Sequence, residues 1–408
     1  MFGKKSKLNI LIVTQYFWPE NFKINDLALF FVEKGHKVSV LTGFPNYPKG
    51  LIYPEFKKNK KKYNNYKQIK IYRAPIIPRG KSKITLILNY LSFVVSSICF
   101  VLFKLKKKNF DIVFTAQYSP VFVALPSILL CKLNNIKHLI WVQDLWPETL
   151  LDLKILKKRF LYLLLKNIVG YIYKNSDLIL VQSKEFIKII KINYKVNNIR
   201  YMPNWAEDIF LNNNKNKKKI SKKNFNIVFT GNIGKAQDFN NIIRAAKILK
   251  RYKNIYWNIY GAGSELSFVK QKVISLRLER NFIFHDNKTL NFMPRAMAES
   301  DILIITMIKS KFLSQTIPGK FQSYLTAYKP IVGMINGATN KIIKQNKIGL
   351  VTSSGNFKDF AKNILKIYKS KPIIREKYKH KAFQYYQSNF DKNVILNNLQ
   401  CIMREVIK

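Results

Sequence analysis

Apolar residues follow two alternating rhythms along this chain. Short, nearly continuous apolar runs at 9–14, 37–42, 70–73, 112–115, 138–143 and 178–182 read as buried strands. Between them, apolar residues recur every three or four positions over 24–34, 84–106, 121–133 and 154–175, which predicts helices. The alternation starts afresh after Lys/Asn-rich residues 212–224: strands are expected at 226–230, 255–260, 282–285, 302–305, 331–334 and 348–351. Helices are expected at 240–250, 265–278, 292–299 and from about 318, with closing helices to Lys408. Strand and helix in regular alternation imply right-handed crossovers and a parallel, doubly wound α/β sheet. The restart implies two Rossmann-like domains facing across a cleft. The expected division is residues 1–205, a linker at 206–224, a second domain at 225–385, and a C-terminal helix of about 386–408 packing back on the first domain.

Composition excludes a disordered chain, because 48% of the 408 residues are hydrophobic. The formal net charge is +50. Lys- and Asn-rich runs match the output of an AT-rich genome, and the remaining excess of lysine points to anionic partners. The lysines are spread along the whole chain and no nucleic-acid module is visible, so no nucleic-acid partner is expected. Cys99, Cys131 and Cys401 share no metal-binding or disulfide spacing, and the four histidines lie far apart, so no metal site is expected and a reducing cytoplasm fits. The apolar run after Lys4, Lys5 and Lys7 is too short for a signal peptide.

Residues Ile84 to Phe103 carry no charge over twenty positions, with basic clusters on both sides. Length alone allows a membrane span. The flanking strands should belong to one sheet, however, which a span would divide. The expected state is therefore a helix lying in or on the bilayer surface, with a buried helix and a true span as the alternatives. Clusters around 57–62, 79–83, 104–108 and 154–159 would attract an anionic membrane surface.

Candidate chemistry sits at the carboxyl ends of the predicted strands, where open α/β sheets bind ligands. In the second domain, Gly231, Gly234 and Lys235 lie between a strand and a helix, a pattern that suits a phosphate. Gly261 and Gly263 form a second strand-to-helix turn without a third glycine, which argues against a dinucleotide fingerprint. Gly319 and Lys320 open a further helix after Pro318. Lysines on two loops at one sheet edge match the charge of a leaving diphosphate. In the first domain, the loops holding Trp18, Glu20 and Asn21 and holding Trp141, Asp144, Trp146 and Glu148 combine aromatic faces for sugar stacking with carboxylates for hydroxyls or protons. Tyr47 stands in a third turn-rich loop, a candidate wall of the same acceptor site.

Read together, TQYFWPEN, GHKVSVLTGFPNYPKG, WVQDLWPE, YMPNW, GNIGKAQ, YGAGSEL and TIPGKFQSYLTAYKP give a chain that resembles the GT-B glycosyltransferases of glycosyltransferase family 4. The similarity is to the bacterial surface-polysaccharide branch that includes L-fucosamine and colanic acid transferases. It implies metal-independent, retaining transfer without a cofactor, from a nucleotide diphosphate sugar such as UDP-L-FucNAc, with GDP-fucose or another UDP-sugar as alternatives. It also implies a lipid-linked glycan acceptor at the cytoplasmic membrane face, in O-antigen, capsule or exopolysaccharide synthesis. Carried over by position, Lys235 and Lys320 correspond to the basic residues at the diphosphate, and Asp144 to a residue near the transferred sugar. The family's two glutamates before the last of these helices are replaced here by Gln315 and Ser323. Gln322 or Ser323 would then meet the ribose through neutral hydrogen bonds. The rival readings are a GT-B sugar-nucleotide 2-epimerase, which needs no acceptor, and a non-enzymatic nucleic-acid binder.

Overall fold

The computed structural model describes residues 7–80, 82–156, 158–212, 224–285 and 288–408. Most of the expected linker, and Lys4, Lys5, Lys81 and Lys157 of the basic clusters, lie outside them. The chain divides into two compact units, residues 1–203 with 395–408, and residues 204–394.

The first unit holds an eight-stranded sheet of order β3-β4-β2-β1-β5-β6-β7-β8. Its strands are β1 (Asn9–Val13), β2 (Lys37–Gly43), β3 (Asn65–Tyr66), β4 (Ile69–Ala74), β5 (Ile112–Gln117), β6 (Lys137–Val142), β7 (Leu178–Val181) and β8 (Ile199–Tyr201). All pairings are parallel except β3 with β4. The helices are α1 (Lys23–Glu33), α2 (Pro54–Lys58), α3 (Lys83–Phe100), α4 (Leu125–Asn134), α5 (Glu148–Asp152), α6 (Arg159–Lys174) and α7 (Lys184–Tyr194). From β4 onward each crossover runs the same way across the sheet, so right-handedness puts α3, α4, α6 and α7 on one face. α1 covers the other. The apolar character of β5, β6 and β7 follows from helices on both faces, which bury every position between Ile112 and Gln117.

The second unit opens with α8 (Ile209–Asn212) and carries a six-stranded sheet of order β11-β10-β9-β12-β13-β14. Its strands are β9 (Phe225–Thr230), β10 (Ile255–Tyr260), β11 (Phe282–His285), β12 (Ile302–Thr306), β13 (Ile331–Met334) and β14 (Gly349–Thr352). Its remaining helices are α9 (Phe239–Leu249), α10 (Leu266–Ser275), α11 (Met293–Ala298), α12 (Gly319–Thr326), α13 (Gly337–Gln345), α14 (Phe357–Tyr368) and α15 (Pro372–Asn389). All strand pairs are parallel. The strand order reverses between β9 and β12, the switch point at which such sheets bind ligands. The last helix, α16 (Lys392–Ile407), returns to the first unit from Ile395 on. There Gln400 meets the His36 ring at 2.6 Å, and Glu405 takes both arms of Arg200 at 2.7 and 2.6 Å.

α3 is the apolar segment singled out above. Ser82 caps it by accepting from the Thr85 amide at 3.0 Å, and after Phe100 it widens into a π turn at Val101–Leu105. One side, with Asn89, Phe93, Val94 and Ser97, is buried against the sheet. The opposite side carries Ile84, Ile87, Leu88, Leu91 and Val95 in solvent, with Ile84 70% and Val95 63% exposed. α3 joins β4 to β5, and both strands belong to the same sheet, so α3 is a layer of the domain.

Candidate functional site

The second unit gathers its phosphate-binding candidates at the switch point. Gly231, directly after β9, adopts φ +123°, a conformation that favours glycine, and the Lys320 ammonium lies 3.3 Å from where a Cβ would stand. A side chain at 231 would crowd the Lys320 ammonium. The glycine turns at 231–234 and 261–263 are pressed together: the Gly231 amide donates to Tyr260 O at 2.9 Å and the Ile233 amide to Ala262 O at 2.8 Å. A Cβ on Gly261 would fall 1.9 Å from Gly231 O, and one on Gly263 2.3 Å from Ile233 O. Gly261 and Gly263 are thus set by backbone approach, and they shape the loop that bears Gly231, Gly234 and the exposed Lys235. Gly319 has open space around it.

α12 is fixed to the end of β9 by the Tyr324 hydroxyl, which accepts from the Thr230 amide at 2.8 Å. This anchor aims Lys320 inward. Its Nζ is buried, makes no hydrogen bond among the described residues, and lies 3.6 Å over the Phe229 ring. Burial pushes the Lys320 amine down to about 7. A buried, unpartnered ammonium is costly, and an anion arriving at Gly231 would relieve that cost.

Gln322 and Ser323 are buried on α12. The Gln322 amide, with its nitrogen turned to the donor-seeking carbonyls, reaches Gly319 O at 2.9 Å, so it serves its own helix rather than an open site. The Ser323 hydroxyl donates to Glu207 Oε2 at 3.4 Å. The helix position lacking the expected carboxylate therefore has one beside it, supplied by the segment that opens the second unit. Sequence reasoning missed Glu207, because its neighbour is 116 positions away and no spacing links them.

In the first unit, Asp144 follows β6 and its carboxyl is raised to about 6 by burial alone. Because the folded value lies above the ordinary 3.8, folding is favoured when the group is protonated, and that contribution is lost as pH rises through about 6. Asp144→Asn should therefore raise the melting temperature at pH 7.5 and leave it nearly unchanged at pH 3.5, as measured by thermal unfolding at the two pH values.

Glu20 is a buried organiser of the neighbouring loop. Its Oε1 accepts from the Asn46 and Tyr47 amides at 2.8 and 2.7 Å, while Oε2 is buried without a hydrogen bond among the described residues. Burial pushes its carboxyl up to about 7. Asn21 is exposed beside it, and Tyr47, 37% exposed, belongs to a ring cluster with Tyr16 and Phe22 at centroid distances of 5.5 and 5.3 Å. These rings stand beyond the carboxyl ends of β1 and β2; Tyr16 is buried beneath the others, and Tyr47 is the exposed ring that offers a face to a sugar.

Three expected acceptor residues are corrected. Trp141 lies within β6, fully buried, with its indole N–H donating to Met202 O at 3.0 Å. It is core, because it falls inside the strand rather than after it. Trp146 is buried edge-on against Phe122. Glu148 is buried, and its Oε1 accepts from Asn193 and the Tyr194 hydroxyl, each at 3.0 Å, which ties α5 to α7. Only a surface group can stack on or bind an acceptor, so of the expected set Asn21 and Tyr47 remain, with Glu20 as their support.

Comparisons with known proteins agree with this architecture. The glycosyltransferase family 4 profile matches residues 24–207, and the profile of glycosyl transferases group 1 matches residues 212–385. The probable glycosyltransferase WbjE of Pseudomonas aeruginosa is 26% identical over 245 residues, 57% of this chain; the match spans 60% of WbjE, less than two thirds of its length. The putative colanic acid biosynthesis glycosyl transferase WcaI of Escherichia coli is 22% identical over 313 residues, 74% of this chain and 75% of that protein. Among solved structures, a glycosyltransferase from Rickettsia africae superposes with a TM-score of 0.70 at 16% identity, covering 98% of this chain and 99% of that one. Anabaena HepE, solved in complex with UDP and glucose, gives 0.70 at 12% identity over 98% of this chain and 100% of that one. Two α/β units, matched over residues 24–207 and 212–385 by two glycosyltransferase profiles, give this chain the architecture of the GT-B glycosyltransferases, with relatives in polysaccharide biosynthesis.

Proposed function

We propose that the chain transfers a sugar, with retention, from a UDP-sugar of the N-acetyl-deoxyhexosamine class to a lipid-linked glycan at the cytoplasmic face of an anionic membrane, as a step in O-antigen, capsule or exopolysaccharide assembly. The observation that carries the reading is the buried Lys320 ammonium, which faces Gly231 with no hydrogen-bond partner among the described residues. It is a charge prepared for the donor diphosphate, and its stabilisation of the leaving UDP would take the place of a metal ion. Lys235 adds charge at the same sheet edge. Glu207, whose carboxylate lies beside Ser323, would accept from the ribose hydroxyls. Asp144 is the residue this reading assigns to the transferred sugar. The UDP complexes of HepE support the choice of base. The exposed apolar side of α3 and the lysines around it support the membrane surface as a partner.

The test is UDP binding by calorimetry with and without chelator. Binding that is indifferent to chelator is expected, and no binding of any nucleoside diphosphate would refute the reading. Glu207→Gln should weaken UDP by about fivefold to tenfold while leaving inorganic diphosphate unchanged, the loss of one hydrogen-bonded carboxylate. Equal loss for both ligands would reassign Glu207 to the support of α12.

A further inference from the structure

Arg79 lies on the segment between β4 and α3, in the first unit. Its backbone amide donates to Asn46 Oδ1 at 3.0 Å, and Asn46 is itself held by Glu20. Its Nη1 donates to the Tyr16 hydroxyl at 3.1 Å, and the guanidinium lies 5.5 Å from the centre of the Tyr47 ring. The fork is therefore fixed from two sides. Among the described residues no carboxylate pairs with it, although Arg200 and Arg295 elsewhere in the chain each bind one. Held arginine forks that lack a carboxylate are suited to phosphate, which they grip through parallel N–H groups.

The neighbours of Arg79 stand in a telling order. Beside it is the ring cluster in which Phe22 and Tyr47 pack on the buried Tyr16, with Tyr118 tilted against Phe22 at 5.2 Å, and the exposed Tyr47 presents a face to a sugar. Along the chain, α3 follows Arg79 within a few residues and begins its exposed row of Ile84, Ile87, Leu88 and Leu91. Aromatic faces, a cation and an apolar surface follow one another as sugar, phosphate and hydrocarbon do in a lipid phosphate-linked glycan.

We propose that Arg79 receives the phosphate of the acceptor and is the residue by which the enzyme reads a phosphate between sugar and lipid. This rests on the transferase reading above and concerns only the first unit, whereas UDP binding belongs to the second.

The test is binding of farnesyl diphosphate and of farnesol to the full chain in detergent. Measuring it in saturating UDP, and again on the Lys320→Gln chain, removes the donor site from the comparison by two routes. The unaltered chain should favour the diphosphate over the alcohol by about 10- to 100-fold, the worth of charge-assisted hydrogen bonds to a phosphate. Arg79→Gln should bring that ratio near unity, and Arg79→Lys, a point charge without the fork, should keep part of it. An undiminished ratio in Arg79→Gln would overturn the assignment, as would no preference in the unaltered chain. Phosphatidylglycerol vesicles distinguish the other source of phosphate: they should displace farnesyl diphosphate no better than phosphatidylcholine vesicles do. Efficient displacement by phosphatidylglycerol alone would make Arg79 a reader of membrane headgroups and would overturn its role toward the acceptor. Loss of the ratio with UDP binding intact, and loss of UDP binding itself, are separate results, so the two readings fail separately.

Discussion

Lys320→Met should produce a protein that is more stable and nearly inactive. The ammonium it removes is buried, makes no hydrogen bond among the described residues, and rests on the Phe229 ring. A similar-sized apolar side chain avoids its desolvation cost, for a gain of about 1 to 3 kcal/mol. Transfer should fall by about 10²- to 10³-fold, the usual consequence of removing one preorganised group that stabilises developing negative charge. The pH dependence has a definite sign. With the folded value near 7, below the ordinary 10.5, the unfolded chain binds more protons between those limits. The group's contribution to stability is therefore present above the unfolded value and lost as pH falls through about 7. UDP affinity runs the opposite way, weakening as pH rises and the free lysine loses its charge. Both slopes should flatten in Lys320→Met, as read by unfolding and calorimetry from pH 6 to 9. A variant of unchanged affinity would remove Lys320 from the site.

The other large effect concerns the exposed side of α3. Ile87, Leu91 and Val95 recur every fourth position and so share a face, and all three are in solvent. Replacing them together by Gln should reduce partition into phosphatidylglycerol vesicles by about a thousandfold, at roughly 1.5 kcal/mol or more for each large apolar side chain withdrawn from water. Stability should barely change, because the core of this helix is its opposite side, at Phe93 and Val94. UDP binding should be unaffected. Unchanged vesicle binding would mean that lysines alone draw the protein to the surface, a case recognised by complete release in high salt.

The alternation of short apolar runs and helical periods was enough to read the two sheets, because buried parallel strands must be apolar on both faces. β8 and α7 were not read. β8 is three half-buried residues at a sheet edge, and α7 carries Ile187, Ile189, Ile190 and Ile192, whose density hides the buried row of Phe186, Ile190 and Tyr194. The helix expected over 154–175 starts only at Arg159, after α5 and a turn in which Lys154 takes φ +55°. At the site, residues defined by backbone need were legible, since Gly231 and Lys320 lie just after predicted strand or loop ends. Residues whose role depends on distant partners were not. Trp141 and Glu148 share a motif with Asp144, yet one faces the core and the other α7. Glu207 and Arg79 acquire their places only when segments far apart in sequence meet.

The central claim, sugar transfer from a nucleotide donor held at Lys320, is tested most directly by one assay. Radiolabelled UDP- and GDP-sugars are offered, with chelator present, to the protein and a bacterial lipid extract, and label is counted in the organic phase. The account predicts organic-phase label from a UDP-sugar, undiminished by chelator and lost in Lys320→Met. Consumption of the donor to an isomeric nucleotide sugar with no lipid label would contradict it and make the chain an epimerase.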